Sequence, residues 1–104
     1  MERIAFMMQL LPGNAEAYRE RHDGLWPELR DLLMRAGIRE YHIFLDPDSN
    51  TLFATLLRRD DHDMDRLPLD PVMQRWWASM ADLMETKADN EPVSRPLRPM
   101  FRLG

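Results

Sequence analysis

The sequence predicts an α+β domain of ferredoxin-like order, βαββαβ, in which an antiparallel sheet carries two helices on one face. Short apolar segments of strand-like composition alternate with longer segments in which apolar residues recur at helical spacing. A turn at residues 46–50 separates two of the strand-like segments, which indicates a hairpin. The length of 104 residues and the hydrophobic content of 44% predict one domain, residues 1–104, with a single packed core.

The first half of the chain predicts a strand followed by a helix in two pieces. The apolar run at residues 4–11 is too short for an independent helix and is typical of a strand. Asn14 is the expected side-chain N-cap of a helix that begins at about residue 15. Pro27 lacks a backbone donor and disfavours helical geometry in the residue before it, so we expect a kink or break there. The second piece should end near Gly37.

The second half predicts the hairpin, a second helix and a last strand. The two strands of the hairpin are expected at residues 38–45 and 51–57, which are rich in β-branched and aromatic residues. A polar, acidic loop follows as far as Pro71, which is well placed to begin a helix that runs through Met84. A final edge strand is expected at residues 97–103.

The first predicted strand has apolar residues on both faces, whereas two helices can cover only one face of the sheet. Ile4, Phe6 and Met8 alternate with Ala5 and Met7. An extended apolar face is unfavourable in water, and a second copy of the chain is the simplest cover for it. We therefore expect a homodimer in which two sheets pack face to face.

Composition and motif content argue against several classes of protein. The chain carries 14 basic and 18 acidic side chains, whereas a nucleic-acid-binding domain has a basic surface. It has no cysteine, which excludes disulfide scaffolds and cysteine-based metal sites. No run approaches the ~18 apolar residues of a membrane span, and the spacing of the three histidines matches no metal-ligand pattern. We expect a cytoplasmic protein that binds neither nucleic acid, membrane nor metal.

Aromatic and polar side chains at three places form a candidate binding site for a neutral sugar. Tyr18 and His22 are four residues apart and share a helix face. Trp76 and Trp77 point ~100° apart on the last helix, so one is expected in the core and the other at a cavity, although both could be core residues. Tyr41 lies in the second strand, beside a histidine that must face the other way. Aromatic rings stack on the C–H faces of a sugar, and phenols and imidazole hydrogen-bond to its hydroxyls.

Several motifs together resemble the L-rhamnose mutarotase family, and the resemblance spans essentially the whole chain. The motifs are Ala5-Phe6-x-Met8-Gln9, Tyr18-x-x-Arg21-His22-x-x-x-Trp26-Pro27-Glu28-Leu29, Tyr41-x-Ile43-x-Leu45-Asp46, Leu52-Phe53-Ala54, Gln74-Arg75-Trp76-Trp77-x-x-Met80-x-Asp82-Leu83-Met84 and Asp89-Asn90-x-Pro92-Val93-Ser94. The acidic loop at residues 60–70 matches poorly, and Gly24 stands where a second proline often lies. Neither difference removes a functional residue of the family.

The resemblance implies a cytoplasmic homodimer of the dimeric α/β-barrel type that interconverts the α and β anomers of L-rhamnose without metal or cofactor. It further implies that His22 is the catalytic proton donor and that Tyr18, Tyr41, Trp76 and Trp77 contact the sugar. A histidine, with an ordinary pKa of about 6.5, can donate and recover a proton at neutral pH. The sequence does not identify the complementary base, for which Tyr18, an ordered water and a carboxylate of the partner chain are all candidates.

Two other functions fit the same fold. A non-enzymatic dimeric sensor would bind a sugar without accelerating anomer exchange. A cofactor-free or haem-dependent monooxygenase would need an apolar cavity and often an axial histidine, for which His22 could be mistaken. Tyr18 and the adjacent pair Trp76 and Trp77 suit a polyol better than an apolar substrate.

Overall fold

The computed structural model describes residues 1–104 and has four antiparallel strands in the order β2-β3-β1-β4. This order, together with the sequence of elements along the chain, confirms the predicted ferredoxin-like fold. A short 3₁₀ helix at Met64–Leu69 lies within the acidic loop. The strands are β1 (Glu2–Gln9), β2 (Ile38–Asp46), β3 (Thr51–Arg58) and β4 (Arg95–Leu97), and the helices are α1 (Ala15–Asp23), α2 (Pro27–Arg35) and α3 (Pro71–Met80).

The predicted break in the first helical region is confirmed. α1 ends at Asp23, and Pro27 is the first residue of α2, where its missing backbone donor costs nothing. Gly37 follows α2 with a φ of 98°, a left-handed conformation that glycine adopts without strain. The predicted side-chain cap at Asn14 is wrong, because this residue has a φ of −109° and a ψ of 6° and its side chain bonds no amide of α1. Its amide instead lies 3.5 Å from the Leu83 carbonyl.

Two elements end at different places from those that the sequence predicts. α3 stops at Met80, and Met84 forms an isolated bridge with Leu10 at the end of β1. The apolar run after Met80 is therefore buried as an irregular segment and not as a further helical turn. The last strand expected at residues 97–103 is wrong: β4 is Arg95–Leu97, which pairs with β1, and Pro99 cannot donate a backbone hydrogen bond to extend it.

A β-bulge in β2 decides which way the side chains of that strand point. The pairing with β3 shifts between Arg39 and His42, so that Glu40 and Tyr41 together oppose one residue of β3. Glu40 has a φ of 48°, an unfavourable value for a non-glycine residue. Because the bulge adds one residue, Tyr41 lies on the helix side of the sheet together with the buried Ile38.

The core lies between one face of the sheet and the helices. Leu52, Ala54 and Leu56 of β3 are almost completely buried there, packed with Leu29 of α2 and Met80 of α3. The helices do not cover the opposite face of the sheet. None of the helices is long and apolar enough to cross a lipid bilayer.

The uncovered face of the sheet is apolar, as the alternation in β1 predicts. Phe53 of β3 opposes Met7 of β1 on one side and Phe44 of β2 on the other. Phe44 is 63% exposed, and Phe53 and Leu97 are each 39% exposed. We call this surface the outer sheet face; it consists of Ala5, Met7, Phe44, Phe53 and Leu97. An aromatic and aliphatic patch of this kind, on the face without helices, is typical of a protein–protein interface.

Candidate functional site

A large cavity separates part of the sheet from the helices. Its volume is about 1640 Å³, and it extends across the helix side of the sheet to the edge strand β2. All five residues singled out from the sequence line it. The residues that bear on its chemistry are Phe6, Tyr18, His22, Tyr41, Trp76 and Trp77.

α1 brings Tyr18 and His22 together. One helical turn separates them, and the centroids of their rings are 4.3 Å apart with an angle of 32° between the planes. Tyr18 is only 8% exposed. Burial raises the pKa of the Tyr18 phenol well above its ordinary value, and the nearby Tyr41 hydroxyl adds to this effect. The phenol of Tyr18 is therefore a neutral hydrogen-bond donor throughout the physiological pH range.

The hydrogen bonding of His22 defines which of its ring nitrogens is free. Nδ1 of His22 lies 2.9 Å from the backbone carbonyl oxygen of Tyr18. A carbonyl oxygen can only accept, so Nδ1 carries the hydrogen and Nε2 of the neutral ring keeps its lone pair. Burial lowers the pKa of His22 below its ordinary value of 6.5, and this outweighs the bond to Tyr18 and the charge of Asp23, which both raise it. His22 is thus a neutral imidazole at pH 7, with Nε2 available as a base.

The two tryptophans of α3 have different surroundings. Trp76 is 7% exposed, and its ring makes edge-to-face contacts with His22 and Trp26, each at 5.3 Å between centroids. Trp77 is partly exposed and packs against the margin of the core. Trp76 is therefore the core member of the pair, and it also forms the wall against which His22 rests. Trp77 also lines the cavity and is the less buried member of the pair.

The bulge in β2 places Tyr41 at the opposite side of the cavity. The ring of Tyr41 lies 6.3 Å from that of Phe6 in an edge-to-face arrangement. The residue is 39% exposed at the edge of the sheet. Desolvation of its phenol by the surrounding protein atoms raises the pKa of Tyr41 to about 12. Tyr41 is accordingly a second neutral phenol, between the cavity and the exposed edge of β2.

An ion pair holds α1 to the end of α3. The two guanidinium nitrogens of Arg21 lie 2.8 and 3.3 Å from the carboxylate oxygens of Asp82, in a bidentate arrangement. The same guanidinium donates to the backbone carbonyl of Ser79. Because both side chains are exposed, this ion pair adds little to the stability of the fold. It links the helix that carries His22 to the end of the helix that carries Trp76.

The site combines aromatic walls with a small number of polar groups. Two neutral phenols and one neutral imidazole line the cavity, Tyr18 and His22 from α1 and Tyr41 from β2, and no cluster of three or more histidine, cysteine or acidic residues could hold a metal ion. Such a site can bind a neutral, hydroxylated ring by stacking and hydrogen bonds, and it can move protons between a bound hydroxyl and imidazole.

Phe6 in the cavity and Trp26 behind Trp76 were not singled out from the sequence. Phe6 shares a face of β1 with Ile4 and Met8, and this alternation is the signal that places its ring on the helix side. Trp26 precedes Pro27, and its contact with Trp76 follows from the break between α1 and α2. No local pattern in the sequence predicts the contact between Trp26 and Trp76.

Comparison with known proteins agrees with the fold and identifies the family of the chain. Residues 3–103 match the sequence model of the L-rhamnose mutarotase family. A protein named L-rhamnose mutarotase from Jannaschia sp. is 57% identical over 103 residues, 99% of each chain. One of the same name from Sinorhizobium fredii is 57% identical over the full length of both chains. A crystal structure of an L-rhamnose mutarotase from Formosa agariphila superposes with a TM-score of 0.93 at 45% identity, with both chains fully covered. The chain therefore belongs to the L-rhamnose mutarotase family.

Proposed function

We propose that this chain is an isomerase that interconverts the α and β anomers of L-rhamnose, and that His22 carries the catalytic proton. The observation that supports it most is the state of His22. Its Nδ1 is engaged by the Tyr18 carbonyl, and its Nε2 is unprotonated in a cavity walled by aromatic rings. We take L-rhamnose as the sugar because the relatives are named L-rhamnose mutarotase. The family membership also favours this activity over a sugar sensor or a monooxygenase.

Ring opening needs one proton removed from the anomeric hydroxyl and one delivered to the ring oxygen. In our proposal Nε2 of His22 accepts the proton of the anomeric hydroxyl and delivers it to the ring oxygen, to which the neutral phenol of Tyr18 donates a hydrogen bond. The bond between the anomeric carbon and the ring oxygen breaks, and an aldehyde forms. Because burial keeps Tyr18 protonated, it assists by hydrogen bonding while the imidazole carries the proton.

Ring closure on the other face reverses both transfers. The aldehyde rotates, the hydroxyl oxygen attacks it, and Nε2 of His22 accepts the proton of that hydroxyl. The imidazolium of His22 then donates to the new anomeric oxygen, which is the proton-donor role that the family resemblance implies. Protons and electrons balance over the cycle, so the chain's own residues suffice for the reaction.

The remaining aromatic residues are proposed to hold the sugar. Trp77 offers a ring face to the apolar C–H surface of the pyranose, and Tyr41 offers its hydroxyl from the β2 side. Trp76 bounds the cavity and fixes the ring of His22 by edge-to-face contact. Polarimetry on a freshly dissolved single anomer of L-rhamnose tests the activity, because relaxation should accelerate in proportion to protein concentration. Relaxation at the buffer rate would contradict the proposed function.

The pH dependence of the reaction follows from the state of His22. Because burial lowers the pKa of His22, the basic form is populated at neutral pH and is lost only on acidification. We expect kcat/KM to be level between about pH 7 and 8 and to fall with an acid limb centred below the ordinary histidine value of about 6.5. Saturation-transfer rates over pH 5–8 measure this. A rate that increases on acidification would show that imidazolium is the form that starts the reaction.

We further propose that the chain acts as a homodimer in the cytoplasm, as the family resemblance implies. The outer sheet face supports the dimer, since its exposed aromatic and aliphatic side chains have no cover within one chain. Sedimentation at micromolar concentration should show a dimer, and the interface should exceed ~1,000 Å² in total. Phe44→Lys should shift the population to monomer, because the substitution would bury an unpaired charge. A folded wild-type monomer at that concentration would remove the basis for the dimer.

A further inference from the structure

The helix that carries His22 is short, and His22 lies in its last turn. α1 has nine residues, and Tyr18 is its only buried residue. Isolated helices of fewer than ~12 residues are marginal in water, and helix ends fray first. The bond between Nδ1 of His22 and the Tyr18 carbonyl lies within this helix, so it orients the imidazole relative to α1 and not relative to α3. The place of His22 in the cavity therefore depends on what holds the end of α1.

Arg21 joins this end of α1 to the end of α3 through one guanidinium group. Nη1 of Arg21 donates to the backbone carbonyl of Ser79 and to Oδ1 of Asp82, and Nη2 donates to Oδ2 of Asp82. A planar guanidinium held at three acceptors has a fixed position and a fixed orientation. Neighbouring helix residues point ~100° apart, so fixing the direction of Arg21 also fixes the direction of His22.

The acceptors of Arg21 lie where α3 ends. Ser79 is in the last turn of α3, where carbonyl groups have no partner within the helix. That turn has no basic residue, so Arg21 supplies from α1 the positive charge that a helix C-terminus favours. Asp82 lies two residues after α3, where the helix dipole disfavours an unpaired negative charge. Asp82 is therefore better explained by its pairing with Arg21 than by the stability of α3.

The two ends that Arg21 joins carry the rings that meet at the site. Trp76 of α3 makes edge-to-face contact with His22, and the hydroxyl of Ser79 donates to the Trp76 carbonyl at 2.7 Å. Arg21, Asp82 and Trp76 also line one groove. The ion pair is exposed and adds little to stability. A weak contact can still govern a rate, since a displacement of ~1 Å in a catalytic group can cost as much as ~10²-fold.

We propose that Arg21 is a positioning residue, whose bonds to Asp82 and Ser79 hold the end of α1 so that Nε2 of His22 meets the anomeric hydroxyl. Arg21 itself does not touch the sugar in this account. The inference rests on the proposed function and deepens it, because it adds a residue that acts on the reaction through His22.

Substitution of Arg21 tests the proposal by the effect on kcat and on KM. Arg21→Gln should lower kcat for anomer exchange at least ~10-fold and leave KM within about twofold, because Trp77 and Tyr41 stay in place to hold the sugar. Arg21→Lys should be as slow, since an ammonium keeps the charge but cannot bind a carboxylate in a bidentate manner. Both variants should unfold in urea close to the wild-type midpoint. A wild-type kcat for Arg21→Gln would overturn the proposal.

The matched control is Arg75→Gln. Arg75 forms another exposed ion pair between helices, at 3.7 Å from Glu28 of α2, and this pair does not involve α1. The variant should keep the wild-type kcat. An equal loss of kcat in Arg75→Gln would overturn the proposal, because any ion pair between helices would then have the same effect.

A double-mutant cycle tests whether Arg21 acts through Asp82. Asp82→Asn should lower kcat less than Arg21→Gln does, since the bond from Arg21 to Ser79 remains. The double variant R21Q/D82N should be no slower than Arg21→Gln, because both substitutions remove the same contact. Losses that multiply would show that the two residues act independently and would overturn the proposal.

An NMR measurement on His22 separates this proposal from the proposed function, because it needs no activity. The ring current of Trp76, at 5.3 Å between centroids, shifts the Hε1 resonance of His22 from its value in an unstructured peptide. At about pH 8, where the imidazole is neutral, Arg21→Gln should move this resonance toward the peptide value, and Arg75→Gln should not. The spectrum of His22→Asn identifies the resonance.

The two proposals can therefore fail separately. An unmoved His22 resonance in Arg21→Gln would overturn the positioning role even if the wild-type protein accelerates anomer exchange. A moved resonance in a protein that does not accelerate the exchange would retain the effect of Arg21 on His22 and reject the proposed function.

Discussion

His22→Ala is expected to lose at least ~10² in the rate of anomer exchange, the usual contribution of a positioned general acid or base. The physical reason is the fixed orientation of the imidazole, with Nδ1 bonded to the Tyr18 carbonyl and Nε2 free. Alanine removes the group that carries the proton, and the hydrogen bond donated by the neutral Tyr18 phenol cannot replace it. His22→Asn is the sterner substitution, since an amide keeps a hydrogen-bond donor but does not titrate near pH 7. Both variants should still form a folded protein that binds the sugar.

The control for this prediction is His62→Asn. His62 lies beside the 3₁₀ helix, where its Nδ1 accepts from the Met64 amide, a bond that an asparagine oxygen can also accept. This variant should exchange the anomers at the wild-type rate. Saturation transfer between the two anomeric protons measures all three variants. If His22→Asn keeps a near wild-type rate, His22 is a binding or structural residue, and the proton must come from Tyr18, water or a carboxylate.

Trp76→Ala is expected to cost about 3–5 kcal/mol of stability, because it removes a large buried ring from the core. Activity should fall with it, since the edge-to-face contact with His22 is lost as well. Trp77→Ala should leave the fold nearly intact and weaken sugar binding about two- to tenfold, the equivalent of ~0.5–1.5 kcal/mol of stacking. Urea unfolding at fixed protein concentration gives the first effect, and titration with L-rhamnose gives the second.

Phenylalanine at each position is the matched control. Trp76→Phe keeps an aromatic edge toward His22 and should recover most of the stability, and Trp77→Phe should recover most of the affinity. Equal losses of stability for Trp76→Ala and Trp77→Ala, with sugar affinity unchanged in the second, would show that both tryptophans are core residues. The stacking role of Trp77 would then be wrong.

The parts of the fold that depend on local patterns could be predicted from the sequence. The apolar alternation in β1, the turn after β2 and the effect of Pro27 on α1 and α2 each follow from short-range physical rules, and each is confirmed. The proximity of Tyr18 and His22 belongs to the same group, because helical spacing alone places them together.

The parts that depend on distant contacts could not be predicted. α3 ends at Met80 because Met84 pairs with Leu10, more than seventy residues away along the chain. The side chain of Asn14 turns toward Leu83 instead of capping α1. The bulge at Glu40 directs Tyr41 to the cavity, although neither residue type signals a left-handed conformation in the middle of a strand. The family resemblance, and not the spacing, is what connects Tyr41 to the site in the sequence.

Saturation transfer on L-rhamnose at anomeric equilibrium shows whether His22 carries the catalytic proton, because no net reaction occurs and only the exchange step is observed. Irradiation of one anomeric proton should attenuate the signal of the other, at a rate that increases linearly with the concentration of wild-type protein. The same concentration of His22→Asn should broaden the sugar signals by binding without this transfer. If the wild-type protein broadens the signals and leaves the transfer at the buffer rate, the chain binds the sugar without interconverting its anomers, and the catalytic role of His22 is wrong.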